Sequence, residues 1–107
     1  MKHLTHSKRM NKKVAEKAAE VLKSLANPTR LRIAELLQDG EMCVSELVDA
    51  LGIKEPIASQ QLNKMKDKNI LGSRRRGCMV FYYLKDKQII DELLDCIVEH
   101  CKNNHSK

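Results

Sequence analysis

Apolar residues along the chain keep a helical rhythm everywhere except in one stretch near residue 80. Val14, Ala18, Val21, Leu22 and Leu25 recur at three- and four-residue spacing, predicting a first helix from about residue 12. It should stop at Asn27-Pro28, because the residue before proline avoids helical backbone. Asn27 can then cap a second helix with Pro28 in its first turn and Leu31, Ile33, Ala34, Leu36 and Leu37 buried, closed at Gly40. After EMCV, Ser45 is the expected N-cap of a short third helix carrying Leu47, Val48 and Leu51, and Gly52 permits a tight turn.

A fourth helix is expected from Lys54-Glu55-Pro56 through Asp67, with Ile57, Ala58, Leu62 and Met65 on its buried side. Its other face is Ser59, Gln60, Gln61, Asn63, Lys64 and Lys66. The rhythm then changes. ILGSRRRG leads into the β-branched and aromatic run CMVFYYL, a two-stranded hairpin with its turn at Arg76-Gly77. Helical spacing returns from residue 86, where Ile90, Leu93, Leu94, Ile97, Val98 and Cys101 form one stripe. Two helices joined by a short glycine turn, the second polar and basic, predict a helix-turn-helix. With the hairpin as a wing, the expected fold class is mainly α with a small β-hairpin.

At 107 residues the chain suits one small domain, and its terminal apolar stripe calls for a partner surface. The 20 Lys and Arg outnumber 14 Asp and Glu, a balance that suits an anionic partner such as nucleic acid. Five of those cations and no acid lie in MKHLTHSKRMNKK, so residues 1–11 read as a basic arm and 12–105 as the domain. No apolar run approaches the roughly 20 residues of a membrane span, and no signal-peptide core follows the N-terminus, so a cytoplasmic protein with no membrane partner is expected. There, Cys43, Cys78, Cys96 and Cys101 suit free thiols or ligands better than disulfides. No Cys-x-x-Cys, phosphate-binding glycine loop or nucleophile–base pair points to an enzyme.

Residues 54–76 carry seven Lys or Arg against Glu55 and Asp67, so phosphate neutralisation should dominate affinity there. Gln60, Gln61 and Asn63 can both donate and accept at base edges. The expected DNA contacts are Lys54, Ser59, Gln60, Gln61, Asn63 and Lys64 on the helix, with Arg74, Arg75 and Arg76 on phosphate or in the minor groove.

The segments LANPTRLRIAELL, EMCVSELVDALGI, ASQQLNKMKDKNIL and RRRGCMVFYYL resemble the ArsR/SmtB family of bacterial and archaeal repressors, over about residues 20–84. The resemblance implies a winged helix-turn-helix, a homodimer formed through the first and last helices, and repression of metal, arsenic or sulfur-stress operons relieved by an inducer. The expected partner is double-stranded operator DNA with an inverted repeat. Two other classes stay open: a constitutive DNA binder with no inducer, and a thiol- or metal-handling protein that uses the fold for protein contacts.

The sensing candidates are Cys43, Cys96, His100, Cys101 and His105. Relatives that sense arsenic or cadmium have a second cysteine two residues after Cys43, where this chain has Ser45. Cys43 is thus either a small buried residue before a helix or one thiol awaiting distant partners. Cys78, beside the wing turn and three arginines, is a neutral substitution or an oxidisable thiol. Cys96 with His100 and Cys101 with His105 are four apart, a spacing that brings two ligands onto one helix face. Cys96 and Cys101 diverge by about 140°, so one helix cannot gather both thiols. A closed site would borrow Asp91 or Asp95, the arm's His3 and His6, or a second subunit. The zinc pattern of relatives is absent here, with Leu93 two residues after Asp91 and Asn104 and Lys107 at the far positions. Arsenite, zinc, cadmium, reactive sulfur, or no ligand at all remain the candidate inputs.

Overall fold

The computed structural model describes residues 9–105. Most of the basic arm, with His3 and His6, therefore lies outside the described residues. The elements run α1 (Lys12–Leu25), α2 (Pro28–Leu37), β1 (Met42–Cys43), α3 (Val44–Leu51), α4 (Glu55–Asp67), β2 (Leu71–Arg76), β3 (Met79–Leu84) and α5 (Lys87–His105).

Side-chain caps set the first two helix starts. Asn11 Oδ1 accepts from the Val14 N–H at 2.9 Å, and Asn27 Oδ1 accepts from the Arg30 N–H at 3.0 Å. Each satisfies a first-turn amide that has no helical carbonyl to bond. The third helix begins earlier than expected: its N-cap is Cys43, and Ser45 lies within the first turn. Glu46 decides the position, because its Oε1 accepts from the Cys43 N–H at 3.0 Å. An acid three residues after the cap can make that return bond, and from Ser45 the corresponding residue is the apolar Val48. Gly52 then turns the chain in left-handed backbone (φ 68°) with its N–H on Val48 O at 2.8 Å, so α4 starts within three residues.

At its far end α4 stops on Asn69, also left-handed (φ 64°). The Ile70 N–H reaches Met65 O and the Asn69 N–H reaches Lys66 O, each at 3.0 Å. This paired closure, with buried Ile70 against buried Met65, delivers the chain straight into β2. The sheet has three antiparallel strands in the order β1-β3-β2, one more than the hairpin expected, since Met42 and Cys43 pair with Tyr82 and Phe81. The wing turn is Gly77-Cys78 rather than Arg76-Gly77, and Arg76 pairs with Met79. The shift changes each cross-strand partner by two residues and leaves the faces unaltered, because side chains alternate with period two. Gly72 is fixed by close approach: a Cβ there would lie 2.5 Å from the Tyr83 ring.

Ile33, Leu37, Leu47, Leu62, Met65, Leu71 and Leu94 are fully buried, drawing α2, α3, α4, β2 and α5 onto one centre. Leu31, Leu36 and Val48 are half-buried. Ile57, expected in the core, is instead 45% exposed on the first turn of α4. Ala58, Leu62 and Met65 already complete the helix's inner face, which leaves Ile57 about 100° away from Ala58. Of the α5 stripe, Ile90 and Leu94 are buried, Leu93 and Val98 half-buried, and Ile97 and Cys101 exposed. Met10, Val14 and Leu22 beside or on α1, and Ile89 and Ile97 on α5, are the large apolar side chains left open on the terminal helices among the described residues.

Candidate nucleic-acid interface

Burial of Ala58, Leu62 and Met65 turns the opposite side of α4 outward. Ile57, Gln61 and Lys64 follow one edge of that side at positions i, i+4 and i+7, and exposed Gln60 and Asn63 lie beside them. Lys54 is the exposed N-cap and makes no side-chain cap bond, while Ser59 is half-buried. Of the expected contacts on this helix, Gln61 alone is engaged from behind: Arg30 Nη1 on α2 donates to its Oε1 at 2.7 Å. Sequence periodicity gave no sign of Arg30, one of two arginines in α2, which reaches α4 only through the tertiary fold.

In the wing the three arginines divide. Arg74 and Arg76 share one face of β2, and Arg75 points to the other. Arg74 lies 5.0 Å from the Tyr83 ring centroid and Arg76 5.2 Å from that of Phe81, within cation–π range. Both also pair with Glu41, the residue before β1: Arg74 Nε is 3.0 Å from Oε1, and Arg76 Nη2 bonds Oε2. Arg74 approaches Oε1 outside hydrogen-bond geometry, so that shielded oxygen has a neighbouring charge but no directed donor. Arg75 takes part in none of these contacts. Glu41 is the second residue that sequence reading missed; the alternation of Arg74 and Arg76 against Phe81 and Tyr83 was visible, but the acid across the sheet was not.

The thiols are scattered. Cys43 is buried, with Sγ 3.2 Å from Ser45 Oγ, which fits a small packing residue at a helix start. Cys78 is exposed at the wing turn, and Cys96 and Cys101 are exposed on α5. The His100 ring, one helical turn after Cys96, has its Nε2 2.9 Å from Asn104 Nδ2, so an ion bound there would displace that amide. The His105 side chain lies outside the described residues, and with it the Cys101–His105 pair. Asp91 and Asp95 both accept from Gln38 Nε2 at the end of α2, at 3.1 and 3.2 Å. Asp91 also takes Lys87, which with Gln38 holds its carboxyl below the ordinary range against a smaller opposing effect of burial. Among the described residues no three His, Cys, Asp or Glu side chains converge as a metal cage within one chain. No described helix is long and apolar enough to cross a membrane.

A glycine-turned helix pair with its polar second helix closed directly onto an arginine hairpin defines a winged helix-turn-helix. Residues 27–73 match the family described as bacterial regulatory protein, arsR family. An HTH-type transcriptional regulator of Methanocaldococcus jannaschii is 40% identical over 73% of this chain and 96% of that protein. The HTH-type transcriptional repressor SmtB of Mycobacterium tuberculosis is 35% identical over 80% of this chain and 64% of that one. The solved winged helix-turn-helix DNA-binding domain Mb0332 of Mycobacterium bovis, described as homodimeric, superposes with TM-score 0.72 at 29% identity, covering 91% of this chain and 90% of that one. The chain belongs to the arsR family and is a transcriptional repressor of the ArsR/SmtB type, a class of DNA-binding regulators rather than enzymes.

Proposed function

We propose that the protein is a homodimeric repressor that binds an inverted-repeat operator and leaves it when a thiol-reactive or metal or metalloid inducer engages cysteines. The observation that carries the DNA-binding part is the polar, basic face of α4 joined through the three-residue closure Lys68-Asn69-Ile70 to the arginine strand β2. Lys54, Ser59, Gln60, Gln61, Asn63 and Lys64 enter the major groove, and Arg74, Arg75 and Arg76 neutralise phosphate or reach the minor groove. Exposed Ile57, beside Gln61, adds an apolar contact suited to a thymine methyl.

Pairing two chains through α1 and α5 covers Val14, Leu22, Ile89 and Ile97, which a lone small domain would leave in water. It places two recognition helices in successive major grooves about 34–36 Å apart. The same pairing brings Cys96, His100 and Cys101 of two copies into one region, the route by which exposed α5 ligands complete a site. Release then needs only about 1–3 kcal/mol of coupling between inducer and operator.

The test is a gel-shift titration of the reduced protein on DNA from its own promoter region at several salt concentrations. It is repeated with zinc, arsenite and a persulfide donor, and with all four cysteines changed to serine. The proposal expects salt-steep binding that one of these reagents weakens through the cysteines. Absence of salt-sensitive binding refutes operator recognition, and release that survives the serine changes refutes thiol sensing.

A further inference from the structure

Arg30 belongs to α2, neither of the two elements proposed to face DNA, and it is anchored on three sides. Its backbone N–H is held by Asn27, its Nε donates to Ser24 O near the end of α1, and its Nη1 donates to Gln61 Oε1 at 2.7 Å. Ser24 is buried, and Arg30 and Gln61 are half-buried, so the link sits where water competes weakly.

A guanidinium has five donors and no acceptor. It can therefore meet only the carbonyl end of a glutamine amide, and this settles the orientation that an amide's near-symmetric shape leaves open. The Gln61 carbonyl faces inward to Arg30 and its NH2 group is turned away, bonded to nothing among the described residues. An untethered glutamine reads adenine with two opposed bonds, its NH2 donating to N7 and its carbonyl accepting from the N6 amine. The oxygen keeps a second lone pair, but the bond to Arg30 turns the carbonyl inward, so the amide cannot lay its oxygen and its NH2 group together along an adenine edge without giving up Arg30. What faces outward is a donor, which meets two acceptors, O6 and N7, on guanine but N7 beside the opposing N6 donor on adenine.

We propose that Arg30 is a positioning residue for operator specificity: by holding the Gln61 carbonyl it makes Gln61 a donor-only reader, which selects guanine over adenine at the base pair it faces. This rests on α4 being the recognition helix and adds which base one of its residues reads. Arg30 itself touches no DNA.

The experiment is selection from a randomised duplex pool by the full chain, in parallel for wild type, Gln61→Ala, Gln61→Glu and Arg30→Met, with circular dichroism to confirm folding. Gln61→Ala identifies the base pair facing residue 61 as the position whose preference collapses. There the wild type selects guanine over adenine by about fivefold, the low end of the range for a bidentate pair. Arg30→Met frees the carbonyl and moves the preference toward adenine at that position alone, a change that mere loss of stability would not produce.

Gln61→Glu keeps an acceptor for Arg30, turns an acceptor outward, and moves the preference toward cytosine, whose N4 amine donates. This variant decides the matter if Arg30→Met fails to fold. Adenine selected by the wild type, or a base preference indifferent to Gln61→Glu, overturns the inference while leaving DNA recognition by α4 intact. Failure of the wild type to enrich any sequence overturns the reading of α4 as well.

Discussion

On α4 and the wing three outward-facing groups, Gln61, Arg74 and Arg76, are held by partners from other elements, whereas the cysteines and histidine of α5 have none from outside their own helix among the described residues. Gln61 is tied to Arg30, and Arg74 and Arg76 are stacked on Tyr83 and Phe81 and paired with Glu41. Cys96, His100 and Cys101 are exposed, and Asn104 is the neighbour of His100 within its own helix. A tethered side chain has already given up rotamer freedom, so a ligand that meets it faces a smaller ordering cost on binding. For Gln61 and the rings under Arg74 and Arg76 that saving is already made in a single chain, while Glu41 works against it as an anion that phosphate would have to displace. On the proposed reading the α5 groups are gathered by something further, a second copy or an arriving ion.

The contrast can be broken most severely at the terminal helices. Leu22→Asp combined with Ile97→Asp places carboxylates in the proposed pairing face, and operator affinity should fall about 10³-fold as the second half-site is no longer linked to the first. Sedimentation velocity should show a monomer; an intact dimer would place the pairing face elsewhere. Changing Arg74, Arg75 and Arg76 together to alanine should weaken binding about 10²-fold and flatten the salt slope by about 0.9 for each phosphate no longer neutralised. Singly, Arg75→Ala should cost more than Arg74→Ala or Arg76→Ala, because Arg75 has no neighbour within the sheet to satisfy first. Equal effects would mean that the Glu41 pairs give way freely on DNA.

Smaller effects sharpen the same comparison. Gly72→Ala forces the Tyr83 ring off β2 and should cost about 1–3 kcal/mol in thermal or urea unfolding, the range for overpacked sites. Glu41→Gln removes the anion that competes with phosphate for two arginines, and binding should tighten about two- to fivefold, in keeping with the modest worth of exposed ion pairs. The least change concerns pH. Glu20 is held low mainly by Lys68, and Asp91 mainly by Lys87. A carboxyl whose folded pKa is depressed contributes stability above its unfolded value and loses it as pH falls through the folded one. Thermal melts should therefore show a slight decline below about pH 4.5, diminished in Lys68→Met and Lys87→Met. A decline of equal size in those variants would assign the acid sensitivity to other groups.

Local signals carried much of the architecture. Asn27-Pro28 marked a helix boundary because proline acts on its nearest neighbours, and Gly52 marked the turn for a similar reason. Two errors were local, in the choice of a cap and in the phase of a helix face, and the others arose where distance along the chain stopped mattering. Ser45 was a better cap than Cys43 by residue type, but Glu46 chose the register. Ile57 was apolar and so expected inside, although the helix had already filled its inner face. β1 is two residues long and exists through its pairing with β3, so no periodicity could reveal it. The polar face of α4 and the arginine run were visible in the sequence as DNA-binding candidates. Arg30 and Glu41 were not, since each meets its partner across more than thirty residues of sequence.

The closure of α4 on Asn69 leaves no slack between the helix proposed for the major groove and the strand that carries the arginines. The two behave as a bent rod whose angle is set by buried Met65 and Ile70, and groove and flank are approached as one piece. An operator that is over- or underwound between those two contacts cannot be followed by bending the protein at that joint. On the proposed function, then, the half-site has to match in helical twist as well as in base sequence, and a proposed inducer that shifted either arm of the rod would withdraw both.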